Sequence, residues 1–482
     1  MRFVAIVKED CPTCRLAVPA LAEMRAAGLA LDVVTQDNPA FPDSLAPRHD
    51  ADLLESHRLG VEIVPTVVAY DDTGTETARI YGWNTAEWRA LSGLSGLGDG
   101  LPENMPGCGA LNVMPGVVER LALAAGDLKL ASREIAVAEE ADPHEVAYDR
   151  GWTDGLPVIP PTDLRTARML AGTSRKPDEV VGLVPPNLSP LTVEKAAINA
   201  VMAGCRPEYM PLLLGAIEAA LQPEFAMHGL LCTLAFSGPM IIANGPVTRR
   251  IGMNSGGNAL GQGNRANATI GRAFQLIIRN VGGGRPQEID RAILGHPGKY
   301  TFCFAEDESD PEWQPLAQSR GVPAGESGVT MFHADGVTGF VDQQSRTPEE
   351  LCRSLAMQLW SVNHPRLARW ANAVLVLSPN HYDVFKAAGW GRAEVEAGLI
   401  QALKRPVETK LRGYDGHPLG ITPEQAELYA DADGMIDKFH PGGLYVVRAG
   451  GPGGLMSAVI AGWTGGRNNA EVRPVTRALT EE

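Results

Sequence analysis

The feature that most constrains this chain is a pair of cysteines two residues apart, Cys11-Pro12-Thr13-Cys14, at the junction of an apolar segment and a helical pattern. Residues 3–7 read as a short strand. From Pro12 onward Leu16, Ala20, Leu21 and Met24 fall on one face of a helix, and Gly28 is its stop signal. The chain holds seven cysteines in 482 residues, too few and of the wrong parity for a disulfide framework. Paired thiols in that setting point to redox or metal chemistry.

Residues 31–34 read as a second strand and 46–59 as a helix. Residues 61–70 form a third strand interrupted by Val64-Pro65-Thr66, 78–81 a fourth, and 86–91 a closing helix. The order is βαβ, a helix, a β-hairpin and a helix. With the dithiol between first strand and first helix, and Val64-Pro65-Thr66 placed as it is, residues 1–97 resemble the thioredoxin/glutaredoxin superfamily. That stretch is about a fifth of the chain. The resemblance implies a thioredoxin-like fold with Cys11 as nucleophile and Cys14 as resolving thiol. It also implies that Pro65 is the family's cis-proline, presenting extended backbone to substrate beside the cysteines and blocking one route for a metal.

The spacing has a local physical reason. Cys11 would stand at the helix N-terminus, where unpaired N–H groups and the helix dipole favour a thiolate. Cys14, one turn on, would be within reach of a mixed disulfide. Pro12 removes an N–H that would be unpaired anyway. Asp10 stands where thioredoxin has tryptophan, and its charge is expected to raise the thiol pKa. Two alternatives are an inert thioredoxin-like adaptor and iron–sulfur or zinc ligation by the pair; no second C-x-x-C completes a four-thiolate site, so no metal is assigned.

Residues 98–147 are expected to form a helical connector, with helices at 117–130 and 131–140 and a solvated acidic stretch at Glu139, Glu140, Asp142 and Glu145. Within it, Pro106-Gly107-Cys108-Gly109 offers an accessible thiol able to exchange with Cys11 and Cys14; the alternative is a small residue in a turn.

Residues 148–482 alternate strand and helix patterns and read as a larger α/β (or α+β) domain, so the fold class is α/β throughout. Ser189-Pro190 reads as the cap and first position of a helix ended by Gly204. Cys205 follows in a helix corner, where a buried small hydrophobe is favoured. His228 and Cys232 would share a face on helix or strand, a candidate activated thiol. A glycine- and asparagine-rich loop before a helix over 267–280 makes Asn264, Arg265 and Asn267 candidate binders of an anionic substrate; a structural loop or a subunit contact in a homo-oligomer is the alternative. Cys303, near Lys299 and Glu306, is a further candidate reactive thiol. His381 is a candidate base at a strand-to-helix turn, and the glycine run 450–454 precedes a possible helix. Gly151-Trp152-Thr153-Asp154-Gly155-Leu156-Pro157 is a candidate loop over a pocket. This half is similar to uncharacterised bacterial proteins that share that segment, the Asn264–Ala273 pattern and the Pro297–Glu306 pattern, a similarity that implies no activity.

A net charge of −15 argues against nucleic-acid binding. Every apolar run is too short or too broken to span a bilayer, and the first residues lack a signal-peptide pattern, so a cytoplasmic protein is expected. The function expected is a thiol-disulfide redox enzyme whose dithiol serves a fused catalytic domain acting on a small anionic substrate. Fusion would hold the dithiol at roughly millimolar concentration near its target, with Cys303, Cys232 and Cys205 as candidate receivers and Cys108 as relay. No nucleotide fingerprint appears, so no cofactor is assigned, and an external thiol or dithiol reductant, such as a thiol reductant protein, would supply electrons. The competing expectations are a ligand-binding or scaffold protein with a thioredoxin-like docking module, and a lyase or transferase that does not need the dithiol.

Overall fold

Two strand-centred units make up the chain, Met1–Leu130 and Ala131–Glu482, in a computed structural model that describes residues 1–235, 237–463 and 472–480. Both mix helices with sheets. No helix of the described residues is long and apolar enough to cross a membrane.

The first unit runs β1 (Arg2–Val7), α1 (Pro12–Ala26), β2 (Ala30–Thr35), β3 (Arg48–His49), α2 (Leu54–Arg58), β4 (Ile63–Val64), β5 (Thr66–Tyr70), β6 (Glu76–Tyr81), β7 (Trp83–Asn84), α3 (Thr85–Ser92), β8 (Asn104–Met105), β9 (Cys108–Gly109) and α4 (Val118–Ala125). Its main sheet has the order β3-β2-β1-β5-β6. β1 lies parallel to β2 and antiparallel to β5. Covered on both faces, it is apolar without alternation: Phe3 through Val7 are all buried. The Val64–Pro65 peptide is cis and separates β4 from β5. The helix expected over 46–59 is replaced by β3 and the short α2. Buried Asp50 is the reason: its carboxylate accepts from the Glu55 and Ser56 amides (3.1 and 2.8 Å), so the helix starts only after it.

Residues 98–130, expected in a connector, are knitted into this unit. β8 pairs with β7, and β9 with β4. Buried Asn112 donates to the Val61 carbonyl at 2.7 Å and accepts from Gln36 at 2.8 Å.

The second unit runs α5 (Pro143–Asp149), α6 (Asp163–Leu170), β10 (Val180–Val184), β11 (Ser189–Thr192), α7 (Val193–Ala203), α8 (Met210–Ala220), α9 (Met227–Cys232), β12 (Gly238–Asn244), α10 (Pro246–Arg250), α11 (Arg265–Ile277), β13 (Cys303–Ala305), α12 (Leu316–Ser319), β14 (Gly328–Val341), α13 (Pro348–Trp360), β15 (Ala371–Leu377), α14 (Pro379–Ala387), α15 (Arg392–Leu403), β16 (Arg405–Pro406), α16 (Pro423–Tyr429), β17 (Met435–Ile436), β18 (Phe439–Arg448), β19 (Met456–Gly462) and β20 (Val475–Ala478). The large sheet has the order β13-β12-β14-β19-β15-β18, with β20 also on β14. A register shift between Ala334 and Val337 bends β14, so that its first half pairs with β12 and its second with β19. Alternate residues point inward: Ile242, Phe304, Phe332, Val376, Tyr445, Val447 and Ile460 form one cluster. The opposite face of β15 and β18 packs against residues of α13, α14 and α15.

The sheet curls until the chain after β13 meets the end of β18: the Asp307 amide donates to the Arg448 carbonyl at 2.7 Å. Glu306 fixes this closure. Its buried carboxylate accepts from Trp313 Nε1 at 2.9 Å, Asn244 Nδ2 at 2.7 Å, the Leu316 amide at 2.6 Å and Arg392 Nη2 at 2.5 Å.

Three helical expectations fail here for identifiable reasons. Residues 131–140 are irregular, with the Ala131 and Ser132 amides bound by the Glu194 carboxylate. Ser189 and Pro190 lie in β11, paired with β10, and Thr192 caps α7 instead. No helix follows Gly450–Gly454, where Asn380 Oδ1 accepts from the Gly453 and Gly454 amides and β19 comes next.

Arg392→Met should lower the unfolding free energy by about 3 kcal/mol or more, because it leaves the buried Glu306 carboxylate without its counter-charge. Guanidinium unfolding of the full chain checks this; a loss under about 1 kcal/mol would show that the pair does not hold the closure.

Candidate functional site

The first-unit dithiol is assembled from three separate stretches of chain. Cys11 is the N-cap of α1, with extended backbone (φ −109°, ψ 116°) and Pro12 at the first helical position. The loop entering it is held by Asp37, whose carboxylate accepts from the Glu9 and Asp10 amides at 2.8 and 3.0 Å; the amide bonds hold that carboxyl below its ordinary range despite burial. Cys14 lies one turn along α1, and the Lys8 amide donates to its sulfur at 3.4 Å. The second stretch is the cis Val64–Pro65 turn: the protonated Cys11 thiol donates to the Val64 carbonyl at 3.4 Å. The third is β9, where Cys108 sits opposite Val64.

All seven cysteines are unbridged. Cys11 and Cys14 are 0 % exposed, while Cys108 is partly exposed. The Cys11 thiol is pulled down to about 5, chiefly by the Cys14 thiol that hydrogen-bonds its sulfur, with the Cys108 thiol and the Cys14 and Thr13 amides assisting against burial. Burial and the bond to Cys11 push Cys14 far up. The same two causes raise Cys108. Asp10 was expected to raise Cys11; its carboxylate is exposed, where solvent screens it, and the larger influences on that sulfur are the neighbouring thiols, burial and the amides. The arrangement is one thiolate flanked by two neutral thiols, which equips it for thiol–disulfide exchange. Pro65 lies next to Val64 in this turn, and its carbonyl accepts from the Gly82 amide at 2.8 Å.

The second-unit candidates are placed differently. Asn264 caps α11 by accepting from the Asn267 amide at 3.0 Å and donates to the Gly252 carbonyl at 2.8 Å. Asn267 is buried and braces the preceding loop through the Asn254 amide and carbonyl, at 3.1 and 2.8 Å. Arg265 donates to the Gly204 carbonyl at 2.9 Å. Asn264 and Asn267 bond the loop, in which Asn258 and Gly263 have positive φ, while Arg265 bonds the chain just after α7. The 151–157 segment is strapped to α11 by Arg272, which binds the Asp154 carboxylate with two nitrogens (2.9 and 2.8 Å) and the Pro157 carbonyl at 2.8 Å.

Of the remaining thiols, Cys205, Cys303 and Cys352 are buried and Cys232 is partly exposed. Burial pushes Cys303 far up, and Cys205 and Cys352 to about 12. Cys303 has no activating partner, because Glu306 is bound into the sheet closure and Lys299 is paired with Asp290 at 2.6 Å. Cys232 is raised by burial and by the Asp290 charge; His228 is not among its influences. His381 is buried with both ring nitrogens engaged, by Ser457 Oγ at 2.7 Å and the Asp342 carbonyl at 3.0 Å, and burial lowers its pKa; that holds it neutral as a brace. No group of three or more His, Cys, Asp or Glu among the described residues is placed to hold a metal ion.

Sequence reasoning missed the contacts that dock residues 106–109 on the dithiol. The Thr13 hydroxyl donates to the Pro106 carbonyl at 2.6 Å, and the Lys8 ammonium to the Gly109 carbonyl at 2.9 Å. Their partners are 93 and 101 residues away, so no local signal could have revealed them.

No family model matches the chain, and no curated protein matches it. A solved structure of a secreted Mycobacterium tuberculosis disulfide oxidoreductase homologous to E. coli DsbE is 23% identical, over 19% of this chain and 77% of that one, with a TM-score of 0.17. A likeness of that extent leaves the chemistry to the geometry above.

Ultraviolet thiolate absorbance of the reduced protein should rise with pH through a midpoint near 5, because the thiol form dominates below it and the thiolate above. The step should vanish in Cys11→Ser and move upward in Cys14→Ala. A midpoint near the ordinary thiol value of about 8.5 would contradict the electrostatics described.

Proposed function

We propose that the Met1–Leu130 unit is a thioredoxin-like module and that the protein is a thiol-dependent disulfide oxidoreductase, with Cys11 as nucleophile and Cys14 as resolving thiol. The observation that carries this is the placement of Cys11 at the start of α1 with Cys14 one turn along it and the Val64 carbonyl facing the Cys11 sulfur; the thiol and amide donors that draw that sulfur toward the thiolate support it. The central β1 between parallel β2 and antiparallel β5, and the cis Val64–Pro65 turn beside the thiols, support the same reading. Pro65 and its neighbour supply the extended backbone against which a substrate would lie.

In the reaction the Cys11 thiolate displaces one sulfur of a disulfide R–S–S–R′, forming Cys11–S–S–R and releasing R′S⁻. Cys14, giving up its proton, then attacks the Cys11 sulfur, forming the Cys11–Cys14 bond and releasing RS⁻. Two electrons pass from the dithiol to the substrate, and the released thiolates take up protons. An external thiol or dithiol reductant reverses the exchange and restores the dithiol.

The disulfide acted on belongs, in this reading, to a separate molecule. Burial of Cys205, Cys303 and Cys352, and the raised pKa of each second-unit thiol, favour that placement over a receiver within the Ala131–Glu482 unit.

Reduced wild-type protein should reduce a small disulfide and end with a Cys11–Cys14 bond by peptide mapping. Cys11→Ser should lose that activity by about a hundredfold or more, since the pair can then no longer close a disulfide. Full activity in Cys11→Ser would refute the assignment.

A further inference from the structure

Strand β9 and the residues before it are laid across the dithiol from several sides. β9 pairs antiparallel with β4, Cys108 opposite Val64 and Gly109 opposite Ile63. The Ala110 amide continues the pairing to the Glu62 carbonyl at 2.9 Å. Thr13, inside the C-x-x-C, holds the Pro106 carbonyl at 2.6 Å, and Lys8, at the end of the β1 turn, holds the Gly109 carbonyl at 2.9 Å. The docking is close because Gly107 has no side chain. A Cβ there would lie 2.7 Å from the Val64 carbonyl oxygen, and one on Gly82 would lie 2.7 Å from the Gly107 nitrogen. Side chains on either glycine would force the segment away.

This docking has two consequences for the thiols. It leaves Cys11 and Cys14 with 0 % exposure, and it leaves the partly exposed Cys108 as the thiol of the three that solvent reaches. It also seats Cys108 opposite Val64, whose carbonyl the Cys11 thiol faces, so that the Cys108 thiol bears on the Cys11 sulfur. A disulfide in solution therefore meets Cys108 before it can meet the pair behind it.

Resting on the dithiol-exchange reading, we propose that Cys108 is the outer member of a three-thiol chain: it receives the external disulfide, the disulfide that Cys11 then attacks is the resulting Cys108–S–S–R, and the oxidation passes inward through a Cys11–Cys108 bond. Cys108, on losing its proton to solvent, attacks R–S–S–R′, forming Cys108–S–S–R and releasing R′S⁻. The Cys11 thiolate attacks the Cys108 sulfur, forming the Cys11–Cys108 bond and releasing RS⁻. Cys14, giving up its proton, attacks the Cys11 sulfur; the Cys11–Cys14 bond forms, and Cys108 leaves as a thiolate that recovers a proton. The substrate gains two electrons, Cys11 and Cys14 lose them, and Cys108 is a thiol at both ends. The adjoining glycines suit the role, since the segment must shift slightly as each bond forms.

The test treats the reduced full-length protein with one equivalent of dithiobis-nitrobenzoate without denaturant, quenches with acid, and maps disulfides and adducts by mass spectrometry. Cys14→Ser should end with a Cys11–Cys108 bond and no probe on either residue. Cys11→Ser should hold the probe on Cys108. Cys108→Ser, which keeps the size and the strand pairing, should form the Cys11–Cys14 bond about tenfold more slowly or worse, because the probe must then reach a buried sulfur. Formation of that bond at the wild-type rate in Cys108→Ser, or a probe retained on Cys11 in Cys14→Ser with Cys108 free, would overturn the chain while leaving the dithiol reading intact. Failure of Cys11 to become oxidised in wild type, Cys14→Ser and Cys108→Ser alike would overturn both.

Discussion

The first unit is organised around one sulfur atom. Cys11 sits where the amides at the start of α1, the Cys14 thiol and the Cys108 thiol converge, and these donors outweigh a burial that would otherwise keep the thiol neutral. The surrounding fold serves to hold those groups in place. β1 sets the turn that Asp37 pins, the cis Val64–Pro65 turn closes one side, and the docked 106–109 segment closes another. Loosening any of these would let water reach the sulfur and remove a donor at once. The reactivity of the site is therefore a property of the packing as much as of the C-x-x-C.

How much of this was legible in the sequence depended on range. Cys11-Pro12-Thr13-Cys14 could be placed at a helix start because the strand, the proline at the first helical position and Gly28 are all within a few residues of it. Val64-Pro65-Thr66 could be read as a break in a strand for the same reason, and Cys108 between glycines could be read as accessible. What could not be read was that Cys108 pairs with Val64 beside the Cys11 thiol. That depends on Gly82 and Gly107 meeting backbone to backbone, a close approach with no local signature. Asp10 misled because its sequence neighbourhood says nothing of the exposure that screens it. The helix expected over 46–59 lost to a single buried carboxylate, Asp50, whose bonds to nearby amides outcompete the helix before it.

In the second unit the legible parts were again local. The caps and glycine stops around α7 and α11 were readable in outline, but Ser189-Pro190 imitates a helix start while belonging to a strand. Glu306, Asp307 and Glu308 look in sequence like a solvated acidic loop. Glu306 instead lies 2 % exposed at the closure of the large sheet, with Arg392 as its counter-charge. Burying that pair is costly unless its hydrogen bonds are completed, and the partners that complete them come from α12, α15 and β12, far apart in the chain. Asn264, Arg265 and Asn267 were read as candidate binders of a ligand, and each makes hydrogen bonds to backbone carbonyls of its own unit.

The claim at the centre of this account is that the reduced dithiol carries one thiolate and one thiol at neutral pH. It is tested most directly by the pH dependence of the equilibrium potential of the Cys11–Cys14 couple. Reduction then takes up two electrons but one proton, so between pH 6 and 8 the potential should fall by about 30 mV per pH unit. A fall of about 59 mV per pH unit, the value for two neutral thiols, would contradict it.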